Sequence, residues 1–148
     1  MLGRFLIYGV CGWAVEVLFT AIIDRVTGQT DNAMVGKSYL WMFPIWGTGV
    51  LACERFGVWL KKKRVHFLLR GLAYVPICFL TEASFGLTLY FILGKCPWDY
   101  SRSEWALLHG TIRLDYAPFW AVCGWCGEPI ALWLRRLRVH RHDADDEP

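Results

Sequence analysis

Charge is what long stretches of this sequence lack. Residues 5–23, 39–60, 67–93 and 116–134 contain no lysine and no aspartate, and their only charged residues are Glu16, Glu54, Arg55, Arg70, Glu82 and Glu128. A soluble amphipathic helix needs a polar face that recurs every 3.6 residues, and none of the four runs has one. That absence argues against a soluble helical bundle. Each run is close to, or beyond, the roughly 20 helical residues that cross a hydrocarbon core about 30 Å thick. The sequence therefore predicts an all-α membrane protein with four transmembrane helices, over about 5–23, 39–60, 67–93 and 116–134. A chain of 148 residues has room for one domain, taken as 1–139, followed by a short polar, acidic, disordered tail over 140–148. The first run is longer than the apolar core of a signal peptide and carries Glu16, so it is expected to stay in the chain as a structural helix.

Basic residues sit at selected ends of these runs. Lys61, Lys62, Lys63 and Arg64 follow the second, and Arg135, Arg136, Arg138 and Arg141 follow or flank the fourth. Loops rich in Lys and Arg stay in the cytoplasm. The chain is accordingly expected in the cell membrane as a multi-pass protein, with both termini and the 61–66 loop cytoplasmic and the 24–38 and 94–115 loops outside.

The chain repeats itself. Shifting residues 40–66 by 74 aligns Leu40 with Leu114, Pro44 with Pro118, Trp46 with Trp120, Glu54 with Glu128, Trp59-Leu60 with Trp133-Leu134, and Arg64-Val65-His66 with Arg138-Val139-His140. A shift of 66 aligns Arg4 with Arg70, Tyr8 with Tyr74, Glu16 with Glu82 and Phe19 with Phe85. Hydrophobicity alone does not match Pro, Trp, Glu and His, so the unit is a duplicated helical hairpin. Two spans per unit insert both copies the same way up, as tandem hairpins related by a pseudo-twofold axis along the membrane normal. Glu16 and Glu82 each lie twelve residues from their basic starts, roughly 18 Å at 1.5 Å per residue. Glu54 and Glu128 lie in the cytoplasmic half. Across the axis Glu16 is expected to face Glu82, and Glu54 to face Glu128.

These four glutamates are the candidate intramembrane polar centre. A charged side chain at a helix centre costs roughly 2.5–3.5 kcal/mol on insertion scales. Four ionised, unpaired carboxylates would oppose insertion by roughly 10 kcal/mol. Within the runs the basic residues are Arg55, beside Glu54, and Arg70. The glutamates must therefore face inward and be neutral, share protons, or meet a cation, a basic ligand or water; the alternative is that they anchor helices to one another. Pro129 frees the carbonyl of Trp125 next to Glu128, and Pro76 does the same above Tyr74. Gly9, Gly12, Gly47, Gly49, Gly124 and Gly127 mark close helix contacts.

Cys123-Gly124-Trp125-Cys126 is a CxxC, which opens a thiol-oxidoreductase reading. The second run has Gly49 and Ala52 where the fourth has this pair, and a small apolar cysteine is common in helices, so that reading is disfavoured. Too few ligands cluster for a zinc site; no metal and no cofactor is expected. In the longer loop, Asp99, Tyr100, His109, Arg113 and Asp115 form either an outer vestibule or a network that closes the loop over the bundle. The stretch 103–114 is amphipathic enough to lie along the interface.

The segment Cys96-Pro97-Trp98-Asp99-Tyr100-Ser101, the stretch Leu114-Asp115-Tyr116-Ala117-Pro118 with Trp120, and Glu128 resemble the eukaryotic transmembrane protein 229 family. So do Gly12 with Glu16, Leu40-Trp41-Met42-Phe43-Pro44, and Glu54-Arg55. The same residues are similar to the bacterial set labelled ABC-transporter type IV, or CmpB-like, permeases. The resemblance covers about residues 5–136 and implies a small multipass membrane protein. No coupling helix and no ATPase motif accompanies it, and the CxxC does not belong to the family pattern.

The leading functional expectation is a transport-like or solute-binding membrane protein whose glutamates bind protons or a small cationic or amphiphilic ligand. The rivals are an intramembrane lipid-modifying enzyme using paired glutamates as acid and base, and a non-catalytic scaffold subunit; the symmetry of the carboxylates favours a protein that is not an enzyme. Membrane lipids and a second copy of the chain are the expected partners, and nothing points to nucleic acid. The topology has a direct check. With a Ser101→Cys substitution in a cysteine-free background, labelling is expected from outside the cell; labelling from the cytoplasmic side alone would reverse the orientation.

Overall fold

A computed structural model of the chain describes residues 1–136. Four α-helices carry the architecture: α1 (Leu2–Val26), α2 (Met42–Lys62), α3 (Phe67–Leu93) and α4 (Ala117–Arg136). Two two-residue strands, β1 (Ala106–Leu107) and β2 (Ile112–Arg113), and a 3₁₀ turn over Leu114–Tyr116 lie between α3 and α4. The expected tail over 140–148, and the matches at Arg138, Val139 and His140, fall outside the described residues.

The helices stop where their chemistry tells them to. Lys61 and Lys62 close α2, where cations complement the carbonyl end of the helix. His66 starts α3, its imidazole accepting from the Leu68 N–H at 3.4 Å, and Gly94 ends α3 with φ of 73°, the left-handed turn that favours glycine. Helix α1 runs past the expected 5–23 at both ends, because its flanking Leu2, Asp24, Arg25 and Val26 continue the helix rather than break it. Helix α2 starts at Met42 instead of Tyr39: Tyr39–Trp41 form a turn whose carbonyls accept from Met42, Phe43 and Ile45. With 25 and 27 residues, α1 and α3 are long and apolar enough to cross a membrane. Helices α2 and α4 are shorter, at 21 and 20 residues, and less apolar on average.

Helix α1 packs along α2, and α3 along α4; α2 touches all three of the others and joins the two pairs, chiefly through α3. The α1–α2 contacts run antiparallel, from Thr20 with Lys37 through Glu16 with Trp46 to Tyr8 with Glu54. We call the α2–α3 connection the turn end of the bundle, and the end with the two long loops the loop end. Large apolar side chains face outward: Phe91 is 82% exposed, Ile92 71%, Leu80 68% and Leu18 63%. The four helical glutamates border the central cavity instead.

The stretch 103–114 is not an interfacial helix. It forms a tight antiparallel hairpin, with Ala106 opposite Arg113 and Leu107 opposite Ile112. Leu108, His109 and Gly110 turn it at positive φ of 50°, 59° and 77°, a geometry no continuous helix tolerates. The hairpin holds the loop against the bundle. Trp98, 3% exposed, packs on Met42, Ile45 and Leu89 and donates to the Thr111 carbonyl at 2.9 Å.

Glycines set the separation of α1 and α2. A Cβ at Gly12 would collide with Trp46 near the root of its side chain, 2.6 Å from the Trp46 Cβ, where no rotamer change relieves it. Gly127 in α4, expected at a helix contact, has nothing within 4 Å of an added Cβ and borders the central cavity. Gly12→Ala is therefore expected to destabilise by about 1–3 kcal/mol through overpacking, although Ala favours a helix by up to about 1 kcal/mol. Gly127→Ala should be neutral or stabilising by that smaller amount. Denaturant unfolding of both variants in detergent compares the signs.

Candidate functional site

All four sequence-marked glutamates line one cavity of about 460 Å³ that runs between the helix pairs. Its lining extends from Asp24, Lys37 and Trp98 at the loop end to Lys61 and Glu128 at the turn end. The glutamates fall into two kinds, distinguished by what each already touches.

Glu54 and Glu128 are clamped. On α2, Glu54 accepts from the Tyr8 hydroxyl at 2.7 Å and meets Arg4 Nε at 3.4 Å. On α4, Glu128 accepts from Arg70 Nε at 2.9 Å and Arg70 Nη2 at 2.7 Å, from the Tyr74 hydroxyl at 2.9 Å, and pairs with Lys61 Nζ at 2.6 Å. The residues correspond: Arg4 with Arg70 and Tyr8 with Tyr74 at the 66 offset, Glu54 with Glu128 at the 74 offset. One Arg–Tyr–Glu clamp thus ties each helix pair together one helical turn at a time, since Arg and Tyr four residues apart share a helix face. Arg70 also donates to the Val65 carbonyl at 2.6 Å, which fastens the α2–α3 turn. Lys61 crosses from α2 to the other pair.

This geometry corrects the expectation that Glu54 and Glu128 are short of cations. Each is satisfied by cations of this chain. The residue beside Glu54, Arg55, turns toward Met1 Sδ at 3.5 Å, because consecutive helical residues point about 100° apart. The partners that do serve, Arg4 and Lys61, sit near helix ends and reach inward along flexible stems.

Glu16 and Glu82 are different. Glu16 accepts from the Trp46 indole N–H at 2.9 Å. Glu82 is 4% exposed, and its Oε2 has no hydrogen-bond partner. No basic side chain pairs with either among the described residues. Aromatic rings crowd the cavity beside them: Trp46 and Trp120 meet at 5.3 Å between centroids, Phe119 and Trp120 at 5.2 Å, Phe19 and Tyr116 at 5.4 Å, and Tyr100 and Tyr116 at 5.7 Å. Trp46, Trp120 and Tyr116 escaped the sequence-based site list; the alignment of Trp46 with Trp120 was the signal that marked two of them.

The loop residues divide as well. Asp99 and Tyr100 border the cavity, whereas His109, Arg113 and Asp115 do not. Asp99 accepts from the Ser101 backbone N–H at 2.8 Å, and that bond holds its carboxyl below the usual range. Arg113 grips Asp115 through two bonds of 2.9 and 2.5 Å, which lowers the Asp115 carboxyl. Its guanidinium lies 4.5 Å from the Tyr116 ring centroid, within cation–π range. His109 stacks on Tyr90 at 5.9 Å. Burial pushes the Tyr100 hydroxyl well up, so it stays a neutral donor. These contacts close the loop on itself and leave Tyr100 and Trp98 directed at the bundle.

All six cysteines are free; Cys123 borders the cavity, while Cys126 is exposed on the outside of α4. Among the described residues no group of His, Cys, Asp and Glu could hold a metal ion.

The match to a known family covers the whole of this architecture. A family model described as "Putative ABC-transporter type IV" fits residues 4–136. The chain belongs to that family. The match begins at Arg4, the first residue of the first clamp, and includes the second clamp, the loop and all four glutamates. The family name marks a transporter-related membrane protein, in keeping with the long apolar α1 and α3. No solved structure matches the chain.

Removing one partner from a buried ion pair strands the other, at about 3–5 kcal/mol. Arg70→Leu is therefore expected to destabilise by about that amount even though Lys61 remains. Adding Glu128→Leu to it should recover much of the loss, because apolar replacement of both partners is often neutral. A double-mutant cycle by unfolding in detergent measures the coupling; strictly additive losses would show that the clamp contributes no pairwise stability.

Proposed function

We propose that this chain is a four-span cell-membrane protein with both termini cytoplasmic, which binds a small organic cation in the cavity between its two hairpins as part of a transport-like cycle. The outward display of Phe91, Ile92, Leu80 and Leu18 supports the membrane part of this reading, since a water-exposed bundle would set polar groups there. So does the inward placement of every helical glutamate named above. The corresponding clamps of the two helix pairs support tandem hairpins of the same orientation.

The observation that carries the functional part is the contrast between the glutamates. The chain neutralises Glu54 and Glu128 with its own cations, and leaves Glu16 and Glu82 to the cavity. Carboxyls in a low-dielectric site that no cation of the chain pairs with favour a cation from outside. The ring faces of Trp46, Trp120, Tyr116 and Tyr100 add cation–π attraction, which strengthens when the cation is desolvated. A cavity of about 460 Å³ is within the range of small-molecule sites. The same carboxyls can alternatively take up a proton, so that ligand and proton exchange at one place; that exchange is what a coupled carrier requires.

Lipid-modifying chemistry finds less support. Acid–base catalysis on lipid needs two carboxyls with different surroundings converging on one bond, whereas here the two turn-end carboxyls are both consumed in structural clamps. The binding reading is tested with 2-phenylethylamine on the purified full chain in detergent. Wild type is expected to bind it by calorimetry, and Glu16→Gln and Glu82→Gln each to weaken binding at least about tenfold. Gln matches the neutral acid in size and hydrogen bonding, so both variants should keep the wild-type fold by circular dichroism. Unchanged affinity in both variants would favour the scaffold reading.

A further inference from the structure

The two halves of the site are built from corresponding residues but are not in the same state. In the first half, Trp46 donates its indole N–H to Glu16 at 2.9 Å. The corresponding residues of the second half are Trp120 and Glu82. There the contact is not made: Trp120 Nε1 and Glu82 Oε2 are both buried, and neither has a hydrogen-bond partner. A buried donor and a buried acceptor left open at the same cavity are unusual, because such groups are nearly always satisfied.

Two features keep the second half open. The loop sets the Tyr100 hydroxyl against the Glu82 carboxyl, giving it a contact that does not involve Trp120. Trp120 is engaged by tilted ring packing, against Trp46 at 5.3 Å and Phe119 at 5.2 Å, while its N–H is left unused. In the first half the loop residue Ser38 likewise sets its hydroxyl against Glu16, yet Trp46 also closes on that carboxyl.

The pair is complementary to a specific chemistry. A carboxylate oxygen accepts and an indole N–H only donates. A bare alkylammonium serves Glu82 but offers nothing to Trp120. A ligand that satisfies both must carry a donor beside an acceptor. Resting on the organic-cation reading above, we propose that Glu82 and Trp120 form a recognition subsite for a β-amino alcohol or its oxygen ester or ether: the ammonium N–H donates to Glu82 Oε2, and the neighbouring ligand oxygen accepts from Trp120 Nε1. Glu16 is occupied by Trp46 and supplies charge rather than this geometry. The same N–C–C–O unit occurs in free amino alcohols and in ethanolamine lipid headgroups, and both present the required donor and acceptor.

The test compares four probes on the purified full chain by calorimetry in detergent: 2-phenylethylamine, 2-amino-1-phenylethanol, 1-phenylethanol, and N,N,N-trimethyl-2-phenylethylammonium. Wild type is expected to bind 2-amino-1-phenylethanol roughly tenfold more tightly than 2-phenylethylamine, the gain of one hydrogen bond to a buried donor. The alcohol alone and the quaternary ion, which lacks an N–H, should bind more weakly than either. Trp120→Phe keeps an aromatic ring for packing and removes the donor, so it should erase the tenfold preference, read as the ratio of the two affinities within the variant, because the weaker cation–π face of phenylalanine lowers both affinities together. If 2-phenylethylamine binds but wild type shows no preference for the added hydroxyl, the subsite is overturned and the cation site stands. If the preference persists in Trp120→Phe, the oxygen is read elsewhere and the assignment is overturned. If no amine binds, both readings fall together. The wild-type comparison needs no variant, so a folding defect in Trp120→Phe does not blunt the test. Nanodiscs of phosphatidylethanolamine against phosphatidylcholine identify the source: competition with 2-amino-1-phenylethanol only in the former supports a lipid headgroup, and equal affinity in both supports a free solute.

Discussion

The fold depends on how an apolar bundle holds carboxylates. Glu128 shows the solution in full. Two bonds from one guanidinium, one from a phenol and an ammonium from another helix surround a carboxyl whose side chain is only 9% exposed. An isolated ionised carboxyl in such a place is prohibitively costly, and pairing offsets that cost only when the geometry is this complete. Because the partners come from α2 and α3, satisfying one glutamate fixes α4 against both. Glu54 does the same for α1 and α2 with Arg4 and Tyr8. Apolar contact alone would leave these helices free to slide, since lipid-like side chains pack nearly as well in many registers. The clamps remove that freedom.

Much of this was legible in the sequence, and its limits follow from residue chemistry. The two offsets paired Arg4 with Arg70, Tyr8 with Tyr74 and Glu54 with Glu128 before any contact was known, and those are the residues of the two clamps. The third helix was placed at Phe67–Leu93 from its apolar run and its basic and glycine flanks, because both ends carry strong signals. What periodicity could not reveal was reach. Arg4 and Lys61 read as flanking charges at the ends of runs, and only their long stems bring them to carboxyls inside the bundle. Arg55 read as the natural partner of Glu54 because it is adjacent, although adjacency on a helix places side chains on different faces. In the loop, the amphipathic character of 103–114 did not reveal the backbone, which three residues at positive φ turn into a hairpin.

The CxxC illustrates the same limit from the other side. As a string it suggests redox chemistry, but in α4 both thiols are free, Cys123 at the cavity lining and Cys126 more exposed. Its meaning depends on the backbone that carries it.

The cavity is lined by residues that correspond at the 66 and 74 offsets, yet their contacts differ. The connection between α3 and α4 is the longer one, and it folds into a hairpin that presses Trp98 into the bundle and sets Tyr100 beside Glu82. The connection between α1 and α2 also brings a hydroxyl, that of Ser38, to Glu16, but there Trp46 donates to the carboxyl as well. A symmetric pair of closed contacts would make a rigid bundle with nothing to offer a ligand; a symmetric pair of open ones would leave two buried carboxylates without compensation. One closed and one open half avoids both outcomes. The closed half holds the first hairpin rigid while the open half presents an acceptor and a donor to the cavity, and the tryptophans that belong to the two halves touch, so displacement of Trp120 by a bound group is felt directly at Trp46. Under the binding reading proposed above, the contact of Trp46 with Trp120 gives a physical link through which a ligand beside one ring can alter the other.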